Sequence, residues 1–153
     1  MERADLEYVG FWPRVGATII DTLLLGVICW PSLTAIYGPS YWTGGILLRG
    51  PVDLLISWVF PFVATIFFWA QWQATPGKMA ISARIVDVAT GSRPSSGQLV
   101  GRYLGYFLSA IPLGLGFIWV GFDPRSQGWH DKLAGTVVIR SKERKPATVR
   151  FDG

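Results

Sequence analysis

The residues able to do chemistry in this chain are few, and the most costly of them is Asp21. It is the single formal charge between Val15 and Ile36, a run of 22 residues. An aspartate carried into hydrocarbon costs roughly 2.5 to 3.5 kcal/mol on insertion scales, so it needs a partner or a task. Arg14 stands seven positions earlier on nearly the same helical face, about 10 Å away along the axis. Contact between the two therefore needs the long side chain to fold down or water to intervene, and Arg102 and His130 are the other candidate partners. Two readings stay open for Asp21: a buried pair that holds helices together, and a proton or cation site.

The second constellation is FDPRSQGWHDKLAGT, where Asp123, Arg125, Trp129, His130, Asp131 and Lys132 fall within ten residues. A histidine followed by an aspartate suggests acid–base work. No Ser or Cys elbow accompanies it to complete a triad, and one histidine with scattered carboxylates lacks metal-ligand spacing. No enzyme, metal or cofactor is expected, and these residues read as a charge network at helix ends. Asp53, near Arg49, reads as a solvated carboxylate at the outer interface. Lys78 in ATPGKM lacks the earlier glycine and following Ser or Thr of a phosphate loop.

The elements that must position these groups are membrane helices. Half of the 153 residues are apolar and only 16% are charged, well under the roughly 25% of a soluble domain. Val15–Ile36, Leu54–Gly77 and Tyr103–Phe122 are each long enough for a core of about 30 Å. The lone cysteine, Cys29, sits inside the first run, so no intrachain disulfide forms, and its thiol reads as packing filler. The basic residues flank apolar runs instead of lining one face. They indicate anionic lipid at the cytoplasmic face, not nucleic acid.

Sorting the 14 bases decides the expected topology. With the N-terminus in the cytoplasm, three full crossings would leave six inside and eight outside; a third region that enters and returns leaves thirteen inside and one outside. Pro112, Gly114 and Gly116 supply the break. The expected fold is thus an all-α integral membrane protein with transmembrane helices over about 13–36 and 52–72. A third segment, 98–122, is broken by Pro and Gly into a helical hairpin or a kinked helix. Trp12, Trp69 and Trp72 are expected at one interface, and Tyr41 and Trp42 at the other. The β-prone stretches 81–88 and 136–140 are expected to pair as a small cytoplasmic ribbon. Residues 11–140 form the domain and 141–153 a flexible basic tail. Gly97, Gly101, Gly105 and Ser109 recur every four residues, a spacing that lets another helix approach, within the monomer or in a homo-oligomer or partner complex.

PRVGATIID, TPGK, ARIVDVATG with RPS, and FDPRSQGWHDKLAGTVVI, in that order, resemble the RDD family of bacterial membrane proteins, named for one arginine and two aspartates. The resemblance runs from about Phe11 to Ile139. By position it implies that the arginine is Arg14, the first aspartate Asp21 and the second Asp131, with Asp123 the weaker candidate. It also implies a multi-pass protein of the bacterial inner membrane. Some members are associated with exchange of sodium or other monovalent cations for protons. The expected function is accordingly a monovalent cation/proton antiporter or transport component; the alternative is a membrane scaffold or assembly module without transport.

Overall fold

The computed structural model describes residues 5–45 and 47–142. Strand β1, Leu6–Tyr8, leads through Gly10 into helix α1, Phe11–Tyr37. The apolar run in α1 contains hydroxyls that hydrocarbon would leave unpaired, and three of them bond back one turn: Thr18 to Arg14 O at 2.9 Å, Ser32 to Ile28 O at 2.7 Å and Thr34 to Trp30 O at 2.8 Å. Gly38, at φ 78°, ends the helix before Pro39. A second long apolar helix, α2, spans Pro51–Trp72. Both are long and apolar enough to cross a bilayer.

Helix α2 widens to a π turn over Leu55–Val59, where the Phe60 amide bonds Leu55 O instead of Ile56 O. Pro61 follows and has no N–H to give, so the Ile56 carbonyl is left to another donor. Cys29 of α1 supplies it, its Sγ lying 3.6 Å from Ile56 O. The thiol expected to be filler is thus a cross-helix donor.

Helix α3, Pro76–Ala80, leads to strand β2, Ala83–Asp87. Helix α4, Ser96–Ala110, is capped by Ser95 and Gln98, which bond each other's backbone amides. A turn with Leu113 at φ 56° and Gly114 at φ 75° joins it to α5, Leu115–Ile118, which a tight turn prolongs to Gly121. The chain bends by 111° between these two arms, the break expected from Pro112 and the glycines. Gly116 makes the close approach possible, since a Cβ there would stand 2.5 Å from Ser109 Cα. Helix α6, Trp129–Ala134, and strand β3, Thr136–Ser141, complete the order.

The expected ribbon has a third strand. The sheet order is β1-β3-β2, all antiparallel, with Tyr8 opposite Ile139 and Ile85 opposite Val138. β1 escaped the sequence reading because three residues carry too little alternation. Gln73 covers the outer edge of β2: its carbonyl accepts the Ile85 amide at 2.6 Å and its side chain donates to Ile85 O at 2.8 Å. Val138, Val9, Ile85 and Ala83 pack with Leu99 and Trp69 on one face, while Val86, Val137 and Ile139 gather on the other with Leu6. Trp69, expected at an interface, is fully buried beneath Tyr103 and Tyr106. Trp12 and Trp72 are exposed. Of the expected tail, Ser141 belongs to β3 and the Lys142 amide bonds Asp5 O at 2.7 Å, while 143–153 lie outside the described residues.

Candidate functional site

Arg14, Arg102, His130 and Asp131 converge where the first turn of α1, the middle of α4 and the start of α6 meet. Asp131 is the hub and is completely buried. Its Oδ2 accepts from Arg14 Nη1 at 2.6 Å and from the Gly128 amide at 2.9 Å, and its Oδ1 accepts from Arg102 Nη1. The Gly128 bond is local: Asp131 is the third residue of α6 and reaches back to the amide that opens the helix. Arg14 also donates to Val9 O at 2.9 Å and Ser126 O at 2.6 Å, tying α1 to the end of β1 and to the loop before α6. Arg102 donates to Thr136 Oγ1 at 2.8 Å and lies over the rings of Trp69 and Tyr106.

Burial alone would raise the Asp131 carboxyl, but the guanidinium groups of Arg102 and Arg14 outweigh it and hold the group well below the carboxylate range. His130 is pushed down to about 3 by burial, with the two arginines adding to the effect and Asp131 opposing it. A neutral ring satisfies its neighbours. With the proton on Nε2, 3.5 Å from Asp131 Oδ2, the ring is left to accept at Nδ1 from Ser109 Oγ at 3.3 Å. Free histidine titrates near 6.5, so between about 6.5 and 3 the unfolded chain holds more protons than the folded one. Stability is therefore full above about 6.5 and falls as the pH drops through that window, by up to about 1.4 kcal/mol per pH unit. Thermal melts in detergent should show this slope, and His130→Gln should flatten it between pH 6.5 and 4.

Asp21 is not part of this cluster. It accepts from Thr75 Oγ1 at 2.5 Å and from the Gly77 amide at 2.7 Å, which fastens the TPG turn to α1. Among the described residues it forms no ion pair within 4 Å. Neither Arg14, Arg102 nor His130 is its partner, because Arg14 and Arg102 point to Asp131 and His130 packs against α4. Gly77 has to be glycine: a Cβ there would lie 1.9 Å from Ala17 O and 2.9 Å from Asp21 Oδ2. The Ala17 carbonyl, the Asp21 carboxylate and the Thr75 hydroxyl thus crowd one spot.

Asp123 also stands apart. It pairs with Lys132 at 2.6 Å and accepts from the amides of Arg125 and Gln127, organising the loop before α6. Asp53 departs from its solvated expectation and is fully buried. Tyr41 and Ser57 donate to it at 2.7 Å each and the Arg49 amide at 2.8 Å, so it folds the loop between α1 and α2 onto α2. Arg49 and Ser57 stand four positions away on either side and Tyr41 twelve, so the donors were near in sequence, but only the folded loop brings them onto one carboxylate. The small-residue stripe divides. Gly105 meets His130, since a Cβ would lie 2.8 Å from its Cα, and Ser109 Oγ accepts the His130 amide at 3.2 Å. A Cβ at Gly101 would meet nothing within 4 Å, and one at Gly97 only Ser95 Oγ at 3.9 Å. Lys78 is buried.

A family model described as the RDD family matches residues 8–135. Among curated proteins, the uncharacterized protein RP437 of Rickettsia prowazekii is 42% identical over 76 residues, which cover 50% of this chain and 42% of that protein. The uncharacterized protein YxaI of Bacillus subtilis is 28% identical, over 85% of this chain and 95% of its own. The uncharacterized membrane protein YteJ of the same organism is 28% identical, over 88% of this chain and 82% of its own. The chain thus spans less than half of the Rickettsia protein and most of the two Bacillus proteins. No solved structure matches it.

Proposed function

We propose, from the premise that this chain belongs to the RDD family, that it is a component of monovalent cation/proton exchange in the bacterial inner membrane, with Asp21 as the exchanging carboxylate. The observation that carries this reading is the oxygen set around Asp21. A carboxylate on a candidate membrane helix has a hydroxyl and a backbone carbonyl beside it, and its hydrogen bonds come from neutral groups. Such hard oxygen donors suit a monovalent cation or a proton in alternation. Arg14, Arg102 and Asp131 then form the fixed frame, since a carboxylate gripped by two guanidiniums does not give up its charge. With thirteen of fourteen bases assigned to one side, both termini are cytoplasmic and anionic lipid lies beside them. The route for the ion would be completed by a second copy or a partner.

In proteoliposomes holding a pH-sensitive dye, the wild-type protein is expected to dissipate a proton gradient when sodium is added. Asp21→Asn should abolish that response while the protein still accumulates in the membrane. No response from wild-type protein, alone or oligomeric, would overturn the reading.

A second reading, an assembly module without transport, draws on a different observation. Only 11% of the most apolar window of each long helix is buried within the chain, which leaves both helices with broad surfaces for partners. Gly101 has open space around it, so Gly101→Leu should be accepted by the monomer and yet remove a crosslinked complex from membranes. Complexes unchanged by that substitution would count against this reading.

A further inference from the structure

Helix α6 turns His130, Asp131 and Ala134 inward and leaves Lys132 and Leu133 exposed, Leu133 at 62%. Between it and α4 runs a shallow groove of about 330 Å³ lined by Leu108, Trp129, Lys132 and Leu133. Its α4 wall belongs to an apolar surface that continues through Leu104 and Phe107 to Ile111 and Leu113, the last 94% exposed. Such a surface belongs against hydrocarbon. At the rim the Lys132 ammonium sits 5.6 Å over the Trp119 ring and pairs with Asp123, yet its side chain remains 45% exposed. An ammonium has three donors, so one carboxylate contact leaves others for a second acceptor.

We infer that this groove is a binding site for an anionic phospholipid, with an acyl chain along Leu108 and Leu133 and the headgroup phosphate on Lys132. The apolar floor and the single cation at its edge match the two ends of that ligand, and tryptophans on both flanks suit the interfacial level. Asp123 competes with the phosphate for Lys132 and so tunes the affinity. The site is separate from Asp21, and its test does not depend on exchange.

Native mass spectrometry of delipidated protein given phosphatidylglycerol or phosphatidylcholine reads the site directly. Wild-type protein should retain phosphatidylglycerol about fivefold better, the worth of one lysine near an anionic surface. Lys132→Gln should erase that preference, and Lys132→Arg, which preserves the charge if the glutamine variant folds poorly, should keep it. Asp123→Asn should increase it, since the asparagine oxygen still serves the Arg125 and Gln127 amides. Leu133→Glu should weaken retention of both lipids. Equal retention of the two lipids by wild-type protein would overturn the assignment. So would undiminished preference in folded Lys132→Gln, or displacement of the lipid by free glycerol phosphate, which would make the site one for an anion alone.

Discussion

Asp131→Ala is expected to be the most damaging single substitution in the chain, costing about 3–5 kcal/mol and leaving little folded protein. The variant strips the counter-charge from Arg102, which is fully buried and has no route to solvent. It also frees Arg14 and uncaps α6 at the Gly128 amide. Three elements lose their common tie in one step: α1, α4 and α6. Thermal unfolding and limited proteolysis in detergent measure the effect. The double variant Arg102→Met, Asp131→Leu should recover part of the loss, because two apolar side chains replace a pair whose burial was itself costly. Wild-type stability in Asp131→Ala would mean that the cluster does not hold these elements together.

Gly77→Ala should rank second. The added methyl would stand 1.9 Å from a helix carbonyl, and a backbone atom cannot step aside as the end of a flexible side chain can. Either the TPG turn lifts from α1 or α1 bends; overpacking of this kind costs about 1–3 kcal/mol or more. Lifting the turn also withdraws Thr75 and the Gly77 amide from Asp21. Gly101→Ala is the matched control, because its methyl meets nothing within 4 Å, and it gains the helix preference of alanine. Melting temperatures of the two should therefore move in opposite directions. In the exchange assay Gly77→Ala should lose activity in proportion to its loss of the Asp21 contacts.

Much of this was legible from residue types. Hydropathy placed both long helices within a few residues, because an apolar run must be long to be useful in a bilayer. Pro112 with Gly114 and Gly116 marked the break between α4 and α5. Charge scarcity marked Asp21 as a residue in need of a partner or a task, and Arg14 and Asp131 as members of a charge network. What stayed hidden was who meets whom. Arg14 and Asp131 are 117 positions apart, and Asp21 and Thr75 are 54 apart. No local pattern reports such distances. The nearest arginine was therefore a natural candidate for Asp21, although a hydroxyl and an amide from the TPG turn do that work. The burial of Asp53 was hidden more locally: it depends on Tyr41, which approaches only once the loop between α1 and α2 has folded. β1 was too short to signal, and its existence depends on β3 offering it an edge.

The order β1-β3-β2 carries a constraint of parity. β1 precedes the first long helix, β2 follows the second, and β3 follows the bent pair, yet all three share backbone hydrogen bonds. Strands of one sheet cannot be parted by a layer of hydrocarbon. Between β1 and β2 the chain must therefore traverse the bilayer an even number of times, a condition that one crossing by each of the two long helices would meet. Between β2 and β3 it must again return to where it began, so α4 and α5 dip and come back, or never enter at all. Three short strands thereby fix the parity of the crossings, and they do so without reference to any charge.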